Sequence, residues 1–143
     1  IFASVIVLIV CAEIFAQGLL SLRLIDMMAG IMQFLGLNFI FVIFLMTLLV
    51  FAGAIITGSG VASFTTIGQY VPEMALKFGI PSIKLMIPVQ LAAGLGRAAS
   101  PISAIIIAIS EIAGVSPFEV ARRNIVPFLI IAIFLVLASY IFL

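Results

Sequence analysis

The chain has 143 residues, of which 66% are hydrophobic and only 8% charged, with a mean hydropathy of +1.55. Soluble domains carry about a quarter of their residues as charges, so that class is excluded, and a net charge of +1 offers no basic field to nucleic acid. With no histidine and a single cysteine, Cys11, the chain has neither a histidine-based triad nor a metal cluster to offer.

What remains is an all-α polytopic membrane segment that keeps little outside the bilayer. The first residue is Ile1 rather than Met, and an apolar helix starts at once with no charged leader. The sequence therefore reads as a piece of a longer protein, entered mid-chain.

Residues 2–22 are long enough for a first spanning helix, which ends at Arg23 and Asp26. Cys11 within it reads as a small buried hydrophobe. Glu13 and Gln17 lie one turn apart there; Glu13 is either a proton carrier or a residue that pairs within the bundle, and pairing is the simpler reading. Residues 24–36 are too short to span and carry Met, Gln and Gly, which predicts an arm at the membrane surface.

The stretch 38–57 is strongly apolar until Gly58-Ser59-Gly60 interrupts it. At Thr57–Gly60 the chain can reverse, as the tip of a re-entrant hairpin over 38–78. Packing of small residues between helices is the competing use of Gly58 and Gly60, but GSG is shorter than a GxxxG face, and Thr57 and Ser59 add hydroxyls. In 61–78, Ser63, Thr66, Tyr70, Glu73 and Lys77 recur at three- and four-residue spacing, predicting one polar face. Glu73 and Lys77 stand in the favourable order for a surface pair. Gly79-Ile80-Pro81 ends the segment.

Residues 82–113 predict a broken membrane helix, interrupted over Gly94–Pro101 and closed at Gly114-Val115-Ser116-Pro117. A short polar loop with Glu119, Arg122 and Arg123 then leads into a last helix, 125–143, with Pro127 in its first turn. Lys84, Arg122 and Arg123 read as topology anchors, and the Arg122-Arg123 pair favours a cytoplasmic loop.

Arg97 carries the most functional information. A permanent cation deep in an apolar segment is expensive in lipid, so it must face a partner or a wet cavity. Broken backbone at membrane depth is tolerated only where it is buried in protein or lines such a cavity. Each half-helix ends in unpaired N–H or C=O groups, the former suited to a carboxylate and the latter to Na⁺ or a proton donor. Ser100 and Ser103 are equally suited to substrate, to Na⁺, or to carbonyls freed by the break. Together these residues predict an anion-binding pocket at mid-membrane.

The motifs FAQGL at 15–19, TGSG at 57–60, VPEMA at 71–75, GR with SPxS at 96–103 and SPFEVxRR at 116–123, in that order, resemble the anaerobic C4-dicarboxylate carriers of the DcuC type. The chain looks like the C-terminal half of such a carrier. The resemblance implies the ion-transporter superfamily and one of two inverted repeats, each with a re-entrant hairpin and a broken helix. It places Thr57, Gly58, Ser59 and Gly60 at the hairpin tip and Gly94, Gly96, Arg97, Ser100 and Ser103 at the partner break. It also implies a C-terminus outside, with Arg122 and Arg123 cytoplasmic. The chain departs from the family's pattern at Val61 and Gly94, where asparagine is common; both changes remove an amide that could bind substrate or cation.

The expected function is secondary transport of fumarate, succinate or malate across the cytoplasmic membrane by alternating access. No cofactor is expected. Na⁺ or H⁺ is the candidate coupling ion, with Na⁺ near Ser59, Gly60 and Ser100. Expected partners are the dicarboxylate, membrane lipid, the other repeat and a second copy in a homodimer. The alternatives are a carrier of the same superfamily for another organic anion and a non-transporting assembly module in which Arg97 pairs with a partner helix. No histidine or lysine base stands near a serine in a convincing motif, so an enzyme is not expected.

Overall fold

The computed structural model describes residues 39–142, together with Ile14, Met27 and Gly30. The expected helix over 2–22 and arm over 24–36, with Cys11, Glu13, Gln17, Arg23 and Asp26, otherwise fall outside the described residues. The described residues form six helices in order: α1 (Phe39–Thr57), α2 (Gly60–Gly68), α3 (Val71–Lys77), α4 (Ser82–Ala98), α5 (Ala104–Ala113) and α6 (Pro117–Phe142). Among the described residues all regular structure is helical. Two of the described stretches are long and apolar enough to cross a membrane, Phe39–Thr57 and Pro117–Ser139.

Helix α1 is apolar on every side, so periodicity alone cannot say which face it buries. The structure selects Val42, Ile43, Met46, Val50 and Ala54 for the interior and leaves Phe41, Leu48, Leu49 and Ile56 outside. The buried stripe packs against Tyr70, Val71 and Met74, against Leu85, Val89 and Ala93 of α4, and against Val136 of α6. A smaller cluster of Phe51, Ala92 and Ala99 lies toward the end of α4, covered by Ile125 and Phe128 of α6.

Burying apolar groups against one another gains little relative to lipid tails, so close packing and interhelical hydrogen bonds must hold such helices together. Three serines supply such bonds. The Ser63 hydroxyl donates to the Val50 carbonyl at 2.7 Å, Ser100 donates to the Ile55 carbonyl at 2.7 Å, and Ser139 donates to the Lys84 carbonyl.

The polar face expected over 61–78 is not continuous. A turn at Gln69 and Tyr70 divides it into α2 and α3, because Pro72 in the first turn of α3 lacks the N–H that would continue the helix ladder. Ser63 and Tyr70 are therefore buried, while Glu73 and Lys77 make their ion pair on the surface at 3.2 Å.

The last helix also starts earlier than the sequence suggests. Pro117 occupies its first position, so Glu119, Arg122 and Arg123 lie in its opening turns rather than in a loop. Glu119 and Arg123 pair one turn apart at 2.8 Å. Pro127 sits inside the helix, where its missing N–H leaves the Arg123 carbonyl without its usual partner.

Candidate anion-binding cleft at the helix break

The reversal after α1 is built by three residues. The Thr57 hydroxyl donates to the Gly53 carbonyl at 2.8 Å and accepts the Ser59 N–H at 3.2 Å. Gly58 adopts φ 69°, a conformation that favours glycine. Ser59 is extended and caps α2, its hydroxyl accepting the Ala62 N–H at 3.2 Å.

The second interruption lies farther along than expected. Helix α4 continues through Gly94, Gly96 and Arg97 to Ala98, and the break occupies 99–103. A glycine inside a helix costs only about 1 kcal/mol, whereas Pro101 cannot donate to the ladder and pushes the preceding residue out of the helical region. Pro101 therefore sets the break, and the glycines serve another purpose. A Cβ on Gly96 would collide with the Phe51 carbonyl oxygen and reach 2.8 Å from the Ala54 side chain. Gly96 is thus the point where α4 and α1 make backbone contact.

Tip and break touch. A Cβ at Gly58 would lie 2.9 Å from the Ile102 side chain, and Ser100, fully buried, ties the break to the last turn of α1 through Ile55. From α6, the Asn124 amide donates to the Ala98 carbonyl at 3.3 Å, satisfying a group at the end of α4. Ser103, also buried, caps α5 by accepting the Ile106 N–H at 3.4 Å. Ser100→Ala is expected to cost about 1–3 kcal/mol, since it strands the Ile55 carbonyl; thermal melting of the full-length protein in detergent measures it.

Beside this junction lies a cleft of about 360 Å³, walled by Gly60, Val61 and Phe64 of α2 and by Gln90, Ala93, Gly94 and Arg97 of α4. Gly60 permits the close approach of the two walls: a Cβ there would lie 2.6 Å from the Ala93 carbonyl oxygen. Arg97 is exposed, and neither ion pair seen among the described residues includes it. Opposite it, α2 presents its N-terminal turn. Ser59 takes up the N–H groups of Ala62 and Ser63, which leaves those of Gly60 and Val61, both cleft-lining residues, without a partner in the helix ladder. A guanidinium and a helix N-terminus converging on one cleft favour a carboxylate.

Of the residues singled out in the sequence, Gly60, Val61, Gly94 and Arg97 line the cleft. Thr57, Gly58, Ser59, Gly96 and Ser100 shape and brace the junction beneath it, and Ser103 caps the helix beyond. Two residues escaped the sequence reading, Gln90 in the cleft wall and Asn124 at the end of α4, while Phe64, which reads from sequence as a lipid-facing or packing aromatic, lines the cleft. Gln90 had a legible signal, being a polar side chain two turns before Arg97 in an otherwise apolar stretch.

The family model of the C4-dicarboxylate anaerobic carrier DcuC matches residues 1–143. The chain belongs to this family. It is 36% identical over 138 residues to the anaerobic C4-dicarboxylate transporter DcuC of Escherichia coli K12, an alignment covering 96% of this chain and 30% of that protein. To a Vibrio cholerae protein named "Probable anaerobic C4-dicarboxylate transporter DcuC" it is 39% identical over 129 residues, 90% of this chain and 28% of that protein. The chain thus spans less than a third of the length of these relatives. No solved structure matches it. The DcuC family is one of carriers, not enzymes.

Proposed function

We propose that the chain is the C-terminal repeat of a multi-pass inner-membrane secondary carrier that moves C4-dicarboxylates such as fumarate, succinate and malate by alternating access. The observation that carries this reading is the cleft shared by Arg97 and the N-terminal turn of α2. Arg97 stands sixteenth in α4, roughly 22 Å of helix rise from Ser82, which suits a site well inside the bilayer.

In this mechanism the planar guanidinium grips one carboxylate in a bidentate contact, and the α2 N–H groups add their partial positive charge. The Gly58–Ile102 and Ser100–Ile55 contacts bind the re-entrant tip to the broken helix, so both move as one body against the inverted partner repeat. Transport is coupled to Na⁺ or H⁺, as symport or antiport. For Na⁺, the oxygen lone pairs of Ser59 and Ser100 and the carbonyls beside Gly60 are the groups that would hold the ion; the Ser100 proton is already committed to Ile55.

Uptake of labelled succinate into vesicles bearing the full-length carrier tests the reading. Fumarate and malate are expected to compete and a simple monocarboxylate to fail. Absence of succinate uptake by a folded, membrane-inserted protein would remove the C4-dicarboxylate assignment.

A further inference from the structure

Gln90, Gly94 and Arg97 recur at intervals of four and three residues along α4, so they form one stripe, and all three are exposed in the wall of the same cleft. No contact within the described chain explains the two residues that precede Arg97 in this stripe. A Cβ at Gly94 would meet nothing within 4 Å, and its backbone is ordinary helix, so neither packing nor conformation calls for glycine there. A helical glycine costs about 1 kcal/mol relative to alanine, which makes the open space itself the feature to be explained. Gln90 places in the cleft wall an exposed amide with no hydrogen-bond partner among the described residues, free to meet a ligand.

We infer that Gln90 binds the second carboxylate of the substrate and that Gly94 is the floor over which the carbon chain lies, so that the stripe measures the length of the diacid. This deepens, and depends on, the reading of the cleft as a dicarboxylate site. Seven residues of α-helix separate Gln90 from Arg97 by about 10 Å of rise. An extended four-carbon diacid spans about 4 Å between its carboxyl carbons; adding a C–O bond and a hydrogen bond at each end brings the two donors about 11 Å apart. The backbone spacing is of the same size as this donor spacing, and the two flexible side chains adjust the fit. The Gln90 Nε2–H group donates to the distal carboxylate while the Arg97 guanidinium donates to the proximal one. On the opposite wall Val61 and Phe64 supply an apolar cover for the methylene carbons.

The test is inhibition of labelled succinate uptake by malonate, succinate and glutarate, in vesicles carrying the full-length protein. Gln90→Ala is expected to raise the succinate KM about 10-fold or more and to flatten the preference for four carbons over three or five. Gln90→Asn keeps the amide but withdraws it by one methylene, and should shift the preference toward five-carbon glutarate. Gln90→Glu sets a like charge against the distal carboxylate and should abolish uptake.

Wild-type KM and wild-type length preference in both Gln90→Ala and Gln90→Asn would overturn the inference while leaving the carrier reading intact. A lowered melting temperature with unchanged selectivity would do the same, and would assign Gln90 to helix packing. Failure of the wild-type protein to take up succinate would instead remove the carrier reading, and the gauge with it.

Discussion

Arg97→Ala is expected to lower C4-dicarboxylate uptake by at least about 100-fold while the protein still folds and inserts, since truncating one partner of a desolvated charge pair costs several kcal/mol. The two halves of that statement have separate grounds. Arg97 is exposed in the cleft and makes no ion pair among the described residues, so its loss removes little that holds the helices together. Its fork is, however, the one permanent cation among the described residues that line that cleft. Uptake of labelled succinate at matched expression, with melting in detergent as the control for folding, checks both halves. Arg97→Lys sharpens the result: lysine keeps the charge but not the planar bidentate geometry, and should recover only part of the activity. Full activity in Arg97→Lys would show that charge alone suffices, as it would for an arginine paired with a partner helix. Wild-type uptake by Arg97→Ala would sink the carrier mechanism.

The second large effect concerns stability, and it separates two glycines that are alike in sequence. Gly96→Val is expected to destabilise the fold by about 3 kcal/mol or more, because the new side chain would press into the Phe51 carbonyl and Ala54 on α1. Backbone cannot yield there without parting α1 from α4. Gly94→Ala, two residues earlier, meets nothing and should be neutral or raise stability by up to about 1 kcal/mol through helix propensity. Melting temperatures of the two variants in detergent, side by side, check the contrast. Equal losses would mean that the α1–α4 approach is not as close as described.

These two glycines also show what sequence could and could not reveal. Composition and runs of apolar residues expose membrane helices directly, and Arg97 advertises a site because its burial in lipid is so costly. The interruption after Thr57 was legible from Gly58-Ser59-Gly60. The position of the second break was not: Gly94 and Gly96 resemble helix breakers, yet of these and Pro101 only the proline removes a donor, and the helix runs on to Ala98. Likewise the charges of Glu119, Arg122 and Arg123 suggested a loop, although Pro117 already starts the helix that carries them. Faces of helices such as α1 are hidden from periodicity because both lipid and protein neighbours are apolar. Ser100 and Asn124 brace the junction through carbonyls 45 and 26 residues away, relationships that only the folded chain displays.

The most direct test of the anion-binding cleft is substrate protection at Val61, which is 67% exposed and faces Arg97 across it. Val61→Cys, placed in an otherwise cysteine-free full-length carrier that still transports, would be labelled with a small maleimide in the presence and absence of saturating succinate. Succinate is expected to slow the labelling several-fold, and adding Arg97→Ala should abolish that protection. Equal labelling rates with and without succinate, in a transport-competent protein, would place the substrate elsewhere and contradict the account.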